Sequence, residues 1–197
     1  MFIQDTEQAA KEIASIANGT HTKINLTAAI TKACGLIQQH ISAGFCVGHS
    51  GGKDSNVVHY LANVELGLKL PVAHTSKTKG FNAIHPATLL HLYSRPFPIE
   101  LYPEGTDFPY RGQIDGTRAD EAERLEKSND LIVNGQAINR KYMEPYNPSG
   151  LFGMKFIYPI FDWNDAMVWA FHLRGNLPFS DEYEQEQELI KLANKII

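Results

Sequence analysis

The consecutive residues Ser50-Gly51-Gly52-Lys53-Asp54-Ser55 bring together the groups that hold a phosphate. Gly51 and Gly52 let the backbone approach an anion and adopt positive φ. Ser50 and Ser55 supply hydroxyl donors, Lys53 a point charge, and Asp54 a carboxylate suited to holding Mg²⁺ or capping a helix. A short apolar run, Gly44-Phe45-Cys46-Val47-Gly48, precedes them, and a helix-spaced stripe of Val57, Val58, Leu61, Val64 and Leu68 follows. Strand, glycine turn and helix in that order present backbone N–H groups at the positive end of a helix. The alternative, a serine–glycine surface turn, sits poorly between those two contexts. Commoner nucleotide loops are excluded by spacing. Gly48 lies one residue too close to Gly52-Lys53 for a Walker A loop, and Asp54 stands where Ser or Thr belongs. Gly-x-Gly-x-x-Gly is absent here.

A second candidate is Gly116-x-Arg118, just after a short strand expected around Gln113-Ile114-Asp115 and near the same sheet edge as the loop. Arg124 follows about one and a half turns later if the segment is helical, so the two need not face one site. Arginine grips phosphate or sulfate oxygens in a bidentate fork. On a solvated helix these arginines pair instead with Asp120, Glu121 or Glu123, and both readings stand. Among the eight histidines, His49 adjoins the loop and is suited to touching a phosphate, acting as an acid, or packing beside the turn. His59, His74, His85 and His91 are scattered without His-x-x-x-His or His-Glu-x-x-His spacing, so no zinc site is expected. Cys34 and Cys46 make neither a disulfide framework nor a four-thiolate cluster. No iron–sulfur cluster is expected. Cys46, inside the first strand, reads as an inert small hydrophobe.

The loop resembles the PP-loop, Ser-Gly-Gly-x-Asp-Ser, of the adenine nucleotide α-hydrolase superfamily, which includes ATP pyrophosphatases, the catalytic subunit of bacterial ATP sulfurylase and the phosphoadenylylsulfate (PAPS) reductases. Two further blocks are similar to the reductase and sulfurylase branch. Gly116-Thr117-Arg118-Ala119-Asp120-Glu121-Ala122-Glu123-Arg124 resembles its Gly-x-Arg-x-x-Glu-x-x-Arg segment. Tyr158-Pro159-Ile160-Phe161-Asp162-Trp163 looks like its Asp-Trp segment, followed by an apolar-Trp helix and, at Leu177-Pro178 to Tyr183, its Leu-Pro…Tyr stretch. The resemblance spans roughly residues 44–183 and implies a three-layer, mostly parallel sheet with helices on both faces. It also implies a cytoplasmic transferase of sulfur metabolism that cleaves ATP between the α and β phosphates and adenylates a small anionic or carbonyl acceptor, sulfate among them. Lys53, Asp54 and Arg118 are then the catalytic residues. Ser50, Gly51, Gly52, Lys53, Asp54, Ser55, Arg118 and Arg124 hold ATP or a related adenine nucleotide, with Mg²⁺ on Asp54.

Two departures bear on that expectation. The strand after the loop helix ends His74-Thr75-Ser76 where the family has Asp-Thr-Gly, which removes the usual carboxylate. No cysteine follows Cys46, whereas PAPS reductases attack the sulfonate sulfur with a C-terminal cysteine thiolate. The alternative readings are therefore a PAPS or adenylylsulfate reductase-like protein that borrows its cysteine, or a nucleotide-binding module without turnover.

The elements that must position these residues alternate helix and strand. Residues 6–17 and 25–41 carry helix-spaced apolar stripes, with Asn25 as N-cap of the second. Leu70–Thr75 and Phe97–Leu101 read as strands, and Pro86 leads a helix. Strands alternating with helices imply parallel pairing, with ligands beyond the carboxyl ends of the strands. Residues 131–160 read as turns and short strands. Asp162 is expected to cap a helix containing Trp163 and Trp169, which read as core and cap residues, and the acidic run Asp181–Glu186 reads as a solvated helix face. The expected organisation is a single domain over 1–197: N-terminal helices to 41, a nucleotide-binding core over 42–130, and a substrate-side segment over 131–197. At 197 residues with 43% hydrophobic content, the chain is long enough for a core without disulfides. The net charge of −4 gives no reason to expect general nucleic-acid binding. No signal peptide or membrane span is expected, whereas a homo-oligomer or partner protein is compatible with the sequence.

Overall fold

A computed structural model describes residues 25–75, 99–102, 109–119, 132–133, 136–137, 146–147, 154–175 and 177. Helix α1, Leu26–His40, starts where Asn25 Oδ1 accepts the Ala28 N–H at 3.0 Å, the cap expected of that residue. Its buried stripe of Ile30, Ala33 and Ile37 faces the sheet. Strand β1, Phe45–Gly48, is buried at every position. It delivers the chain into α2, Lys53–His59, which continues as a π-helical turn over Tyr60–Glu65.

Strands β2 (Val72–Thr75) and β3 (Ile99–Tyr102) extend the sheet on one side of β1, and β4 (Gly112–Ile114) lies on the other. Two short strands, β5 (Ile132–Val133) and β6 (Gln136–Ala137), form a separate antiparallel pair. Strands β7 (Tyr146–Asn147) and β8 (Lys155–Ile157) return to the main sheet, whose order is β3-β2-β1-β4-β8-β7. Five strands run parallel, and β7 closes one end antiparallel to β8. The α/β architecture expected from the sequence is thus present. Short strands expected within 131–160 are present, and one of them, β8, pairs directly with β4.

Alternation along the paired strands puts Phe45, Val47, Ile114 and Ile157 on one face. These side chains pack against Ile30, Ala33 and Ile37 of α1, Val57 and Val58 of α2, and Leu61 of the π turn. Helix α3, Asp165–Gly175, adds Val168 and Phe171 to the same core. Its cap is Asn164, whose Oδ1 accepts the Met167 N–H at 3.0 Å. Asp162, the cap expected from the sequence, instead meets Lys32 at 2.6 Å in an exposed pair. Asn164 is the side chain three residues before the donor, which is the reach a cap needs. Trp163 and Trp169 are buried, as expected. Among the described residues no helix is long and apolar enough to cross a membrane. The helices expected over 6–17 and after Pro86, and the acidic run Asp181–Glu186, lie outside the described residues.

The strand order places β2 and β3 on one side of β1 and β4 and β8 on the other, so the chain's direction of travel across the sheet reverses between β1 and β4. Connections leaving the carboxyl ends of two such strands diverge and open a crevice. Residues 49–52 leave β1 there, and residues 115–118 leave β4. The topology brings the glycine loop and Arg118 to one edge.

Candidate functional site

The 50–55 turn is shaped by its own hydrogen bonds. Gly51 has φ +91°, a conformation an L side chain rarely takes, so glycine is required there. Its N–H donates to His49 Nδ1 at 3.1 Å, and the Gly52 N–H donates to Ser50 Oγ at 3.3 Å. Ser55 Oγ–H donates to the Gly52 carbonyl at 2.8 Å. The turn closes on itself through side chains before any ligand enters.

Four histidines lie buried around it: His49, His59, His74 and His172. The acceptor role of His49 Nδ1 toward Gly51 puts its proton on Nε2, which lies 3.0 Å from Asn56 Oδ1. His74 Nδ1–H donates to the His49 carbonyl at 2.6 Å, and His172 Nε2–H donates to the Lys53 carbonyl at 2.8 Å. His74 occupies the position where the family pattern has a carboxylate, and here it ties β2 to the start of the loop. Burial holds the His172 imidazole below its ordinary pKa, in keeping with a neutral ring that donates one proton to a carbonyl. Sequence reading singled out His49 alone. His74 and His172 act through partners far along the chain, which spacing does not reveal.

Beside the turn, four charged side chains from three segments meet. Arg118 Nε lies 3.0 Å from Asp54 Oδ1, and its Nη2 lies 2.7 Å from Asp165 Oδ1. Lys53 Nζ sits 3.4 Å from Asp54 Oδ2 and 3.4 Å from Asp165 Oδ1. The Arg118 side chain is 1% exposed, and those of Lys53, Asp54 and Asp165 are 12%, 16% and 13% exposed. Two cations face two anions, which is what makes burial of any of them tolerable. Segment 115–118 is shaped for this approach. Asp115 Oδ1 accepts the Thr117 N–H at 2.9 Å and the Thr117 hydroxyl at 2.6 Å, folding a local turn. A Cβ at Gly116 would stand 2.8 Å from the Asp54 carbonyl carbon, so only glycine lets this segment lie against the start of α2.

The structure therefore brings Ser50, Gly51, Gly52, Lys53, Asp54, Ser55 and Arg118 to one place; Arg124 lies outside the described residues. The Arg118 side chain is buried and meets the carboxylates of Asp54 and Asp165. The expected partners Asp120, Glu121 and Glu123 lie outside the described residues. Of the Asp54 carboxylate expected to hold Mg²⁺, Oδ1 is sealed from solvent against Arg118, and Oδ2 faces Lys53 at 3.4 Å. Asp165 is the member of the cluster that sequence reading did not assign to the site. Cys46 is fully buried in β1, with its thiol pushed up to about 12 chiefly by burial, and Cys34 is raised for the same main reason. Among the described residues no group of three or more His, Cys, Asp or Glu side chains forms a metal-binding set.

The sequence matches no family model and no curated protein. Among solved structures, the chain is similar to an FMN adenylyltransferase of Candida glabrata in complex with FAD and inorganic pyrophosphate. The TM-score is 0.56 at 15% identity, over 91% of this chain and 69% of that one. The same enzyme in complex with ATP gives 0.54 at 15% identity, over 91% and 67% of the two chains. A U34-tRNA thiolase of Methanococcus maripaludis, carrying its 4Fe–4S cluster, gives 0.50 at 12% identity, over 86% and 80%. These likenesses establish the fold: it is the PP-loop α/β fold.

Proposed function

We propose, from that fold as premise, that the chain is an enzyme binding ATP or a related adenine nucleotide at residues 50–55. It cleaves the nucleotide between the α and β phosphates and passes the adenylyl group to a small acceptor. The observation that carries this reading is the place of the glycine turn. It leaves the carboxyl end of β1 beside the crevice between β1 and β4, with Lys53 alongside and the amides of Gly51 and Gly52 facing acceptors at 3.1 and 3.3 Å that a phosphate oxygen can replace. Support comes from the fungal neighbour, whose complexes contain ATP, or FAD with pyrophosphate. In this reading the acceptor oxygen attacks the α-phosphorus, pyrophosphate departs into the turn, and Lys53, Ser50, Ser55 and main-chain amides neutralise the charge that grows on it. Any Mg²⁺ arrives with the nucleotide's phosphates rather than on Asp54. Arg118 takes part by holding Asp54 and Asp165.

Thiol-based sulfonate reduction is the weaker reading for this chain alone. Cys46 is buried and its raised pKa keeps it protonated, so it supplies no thiolate. The deciding experiment is pyrophosphate release from α-labelled ATP in the presence of sulfate, carboxylates and FMN, the last being the molecule the fungal enzyme holds beside an ATP analogue. Transfer of labelled AMP to one acceptor supports the proposal. ATP binding without product under every acceptor would leave a non-catalytic nucleotide-binding module. Sulfite formation from PAPS in a thioredoxin-linked assay would reverse the order of the two catalytic readings.

A further inference from the structure

We propose that Lys53 is a latched phosphate-binding group and that Asp165 is its catch. The inference rests on the nucleotide reading above and concerns how the site changes when a polyphosphate enters. The four charges of the cluster are not held alike. Arg118 meets the carboxylates of Asp54 and Asp165 at 3.0 and 2.7 Å from a 1% exposed side chain, whereas Lys53 stands 3.4 Å from each of them. Charge-assisted N–H···O bonds settle near 2.7–2.9 Å, so these two carboxylates hold Lys53 less tightly than they hold Arg118.

The pattern of shared oxygens makes its departure inexpensive. Asp165 Oδ1 serves both Lys53 and Arg118, and Asp54 gives Oδ1 to Arg118 while Oδ2 faces Lys53. When the Lys53 ammonium leaves for an incoming phosphate, each carboxylate keeps Arg118 and no buried charge is stranded. The lysine backbone stays fixed meanwhile, because His172 of α3 holds its carbonyl at 2.8 Å. Asp165 thus competes with the phosphate for one ammonium and adds a negative charge next to an anion site. Its presence lowers affinity for a bare polyphosphate while keeping the lysine aimed and paired before the ligand arrives.

The test uses inorganic pyrophosphate as the probe and the full chain. Calorimetric titration compares wild type, Asp165→Asn, Lys53→Met and the double variant. Asp165→Asn is expected to tighten pyrophosphate binding on the order of tenfold, from removal of one nearby negative charge in a partly solvated site, and the gain shrinks when Lys53 is Met. Weaker or unchanged binding by Asp165→Asn, or the same gain in both backgrounds, overturns the latch. A crystal of the wild-type chain with pyrophosphate asks the same question without any variant. Lys53 Nζ is expected within about 3 Å of a phosphate oxygen, with Arg118 still on both carboxylates; a lysine still on Asp54 and Asp165 beside a bound pyrophosphate overturns it. Failure of the wild-type chain to bind pyrophosphate removes the nucleotide reading itself, and the latch with it.

Discussion

Lys53 and Arg118 carry the same charge but call for opposite outcomes on substitution. Lys53→Ala removes a group that can reach a ligand, and both carboxylates it faces retain Arg118. It is expected to slow α–β cleavage by on the order of 10²-fold, with little change in the melting temperature, read by steady-state kinetics beside a thermal melt. Arg118→Met leaves Asp54 and Asp165, largely shielded from solvent, with Lys53 at 3.4 Å from each to balance them. A loss of about 3 kcal/mol of stability is expected, measured as a lowered urea midpoint, and wild-type stability would contradict the cluster as described. The loop residues were legible in the sequence because a phosphate turn is local: glycines, hydroxyls and a lysine have to be neighbours to wrap one anion. The role of Arg118 was not legible. Its acidic neighbours in sequence offered nearby partners, but folding supplies Asp165 from 47 residues away.

At the level of the element, α3 anchors the loop from outside it. Asp165 and His172 lie two turns apart on that helix, which puts them on one face, and both reach residue 53, one by side chain and the other by backbone. The His172 ring is held neutral by burial, with its pKa below 6.5. The unfolded chain takes up a proton below about 6.5 while the folded chain resists it. The stability from this group is therefore complete above that pH and lost as pH falls through the lowered folded value. His172→Gln keeps an N–H for the Lys53 carbonyl and removes the titration, so its stability is expected to fall less steeply in acid, measured by urea midpoints across pH 7 to pH 5. Segment 115–118 is the second anchor. Gly116→Ala drives a methyl against Asp54 backbone atoms that cannot swing away, and about 1–3 kcal/mol of stability should go, together with pyrophosphate affinity. The strand and helix spans near the loop were readable from apolar periodicity. The place of β8 in the main sheet was not, because a three-residue strand flanked by Gly and Pro carries no periodic signal of its own.

For the whole molecule, parallel pairing on both sides of β1 means that no part of the central sheet opens without the rest. Cys46 reports on this directly, being fully buried in β1 and surrounded by β2 and β4. Pulse alkylation along a urea series should label Cys34, only half-buried, before the transition, and Cys46 only through it. Early labelling of Cys46 would show that the sheet frays locally. The alternation of strands and helices made this class of fold readable from sequence, since each short apolar run needs a crossover to reach its neighbour. The π-helical turn at Tyr60–Glu65 was not readable, and it solves a problem of length. One end of that helix is pinned by the phosphate turn. Near the other, Asn63 of the π turn grips Leu70 beyond the helix twice, donating to its carbonyl at 2.9 Å and accepting its N–H at 2.7 Å. Between fixed ends, a chain one residue too long has to widen its coil. Shortening the stretch 60–65 by a single residue should let it relax into ordinary winding with both grips kept, so this is where the protein has slack to spare.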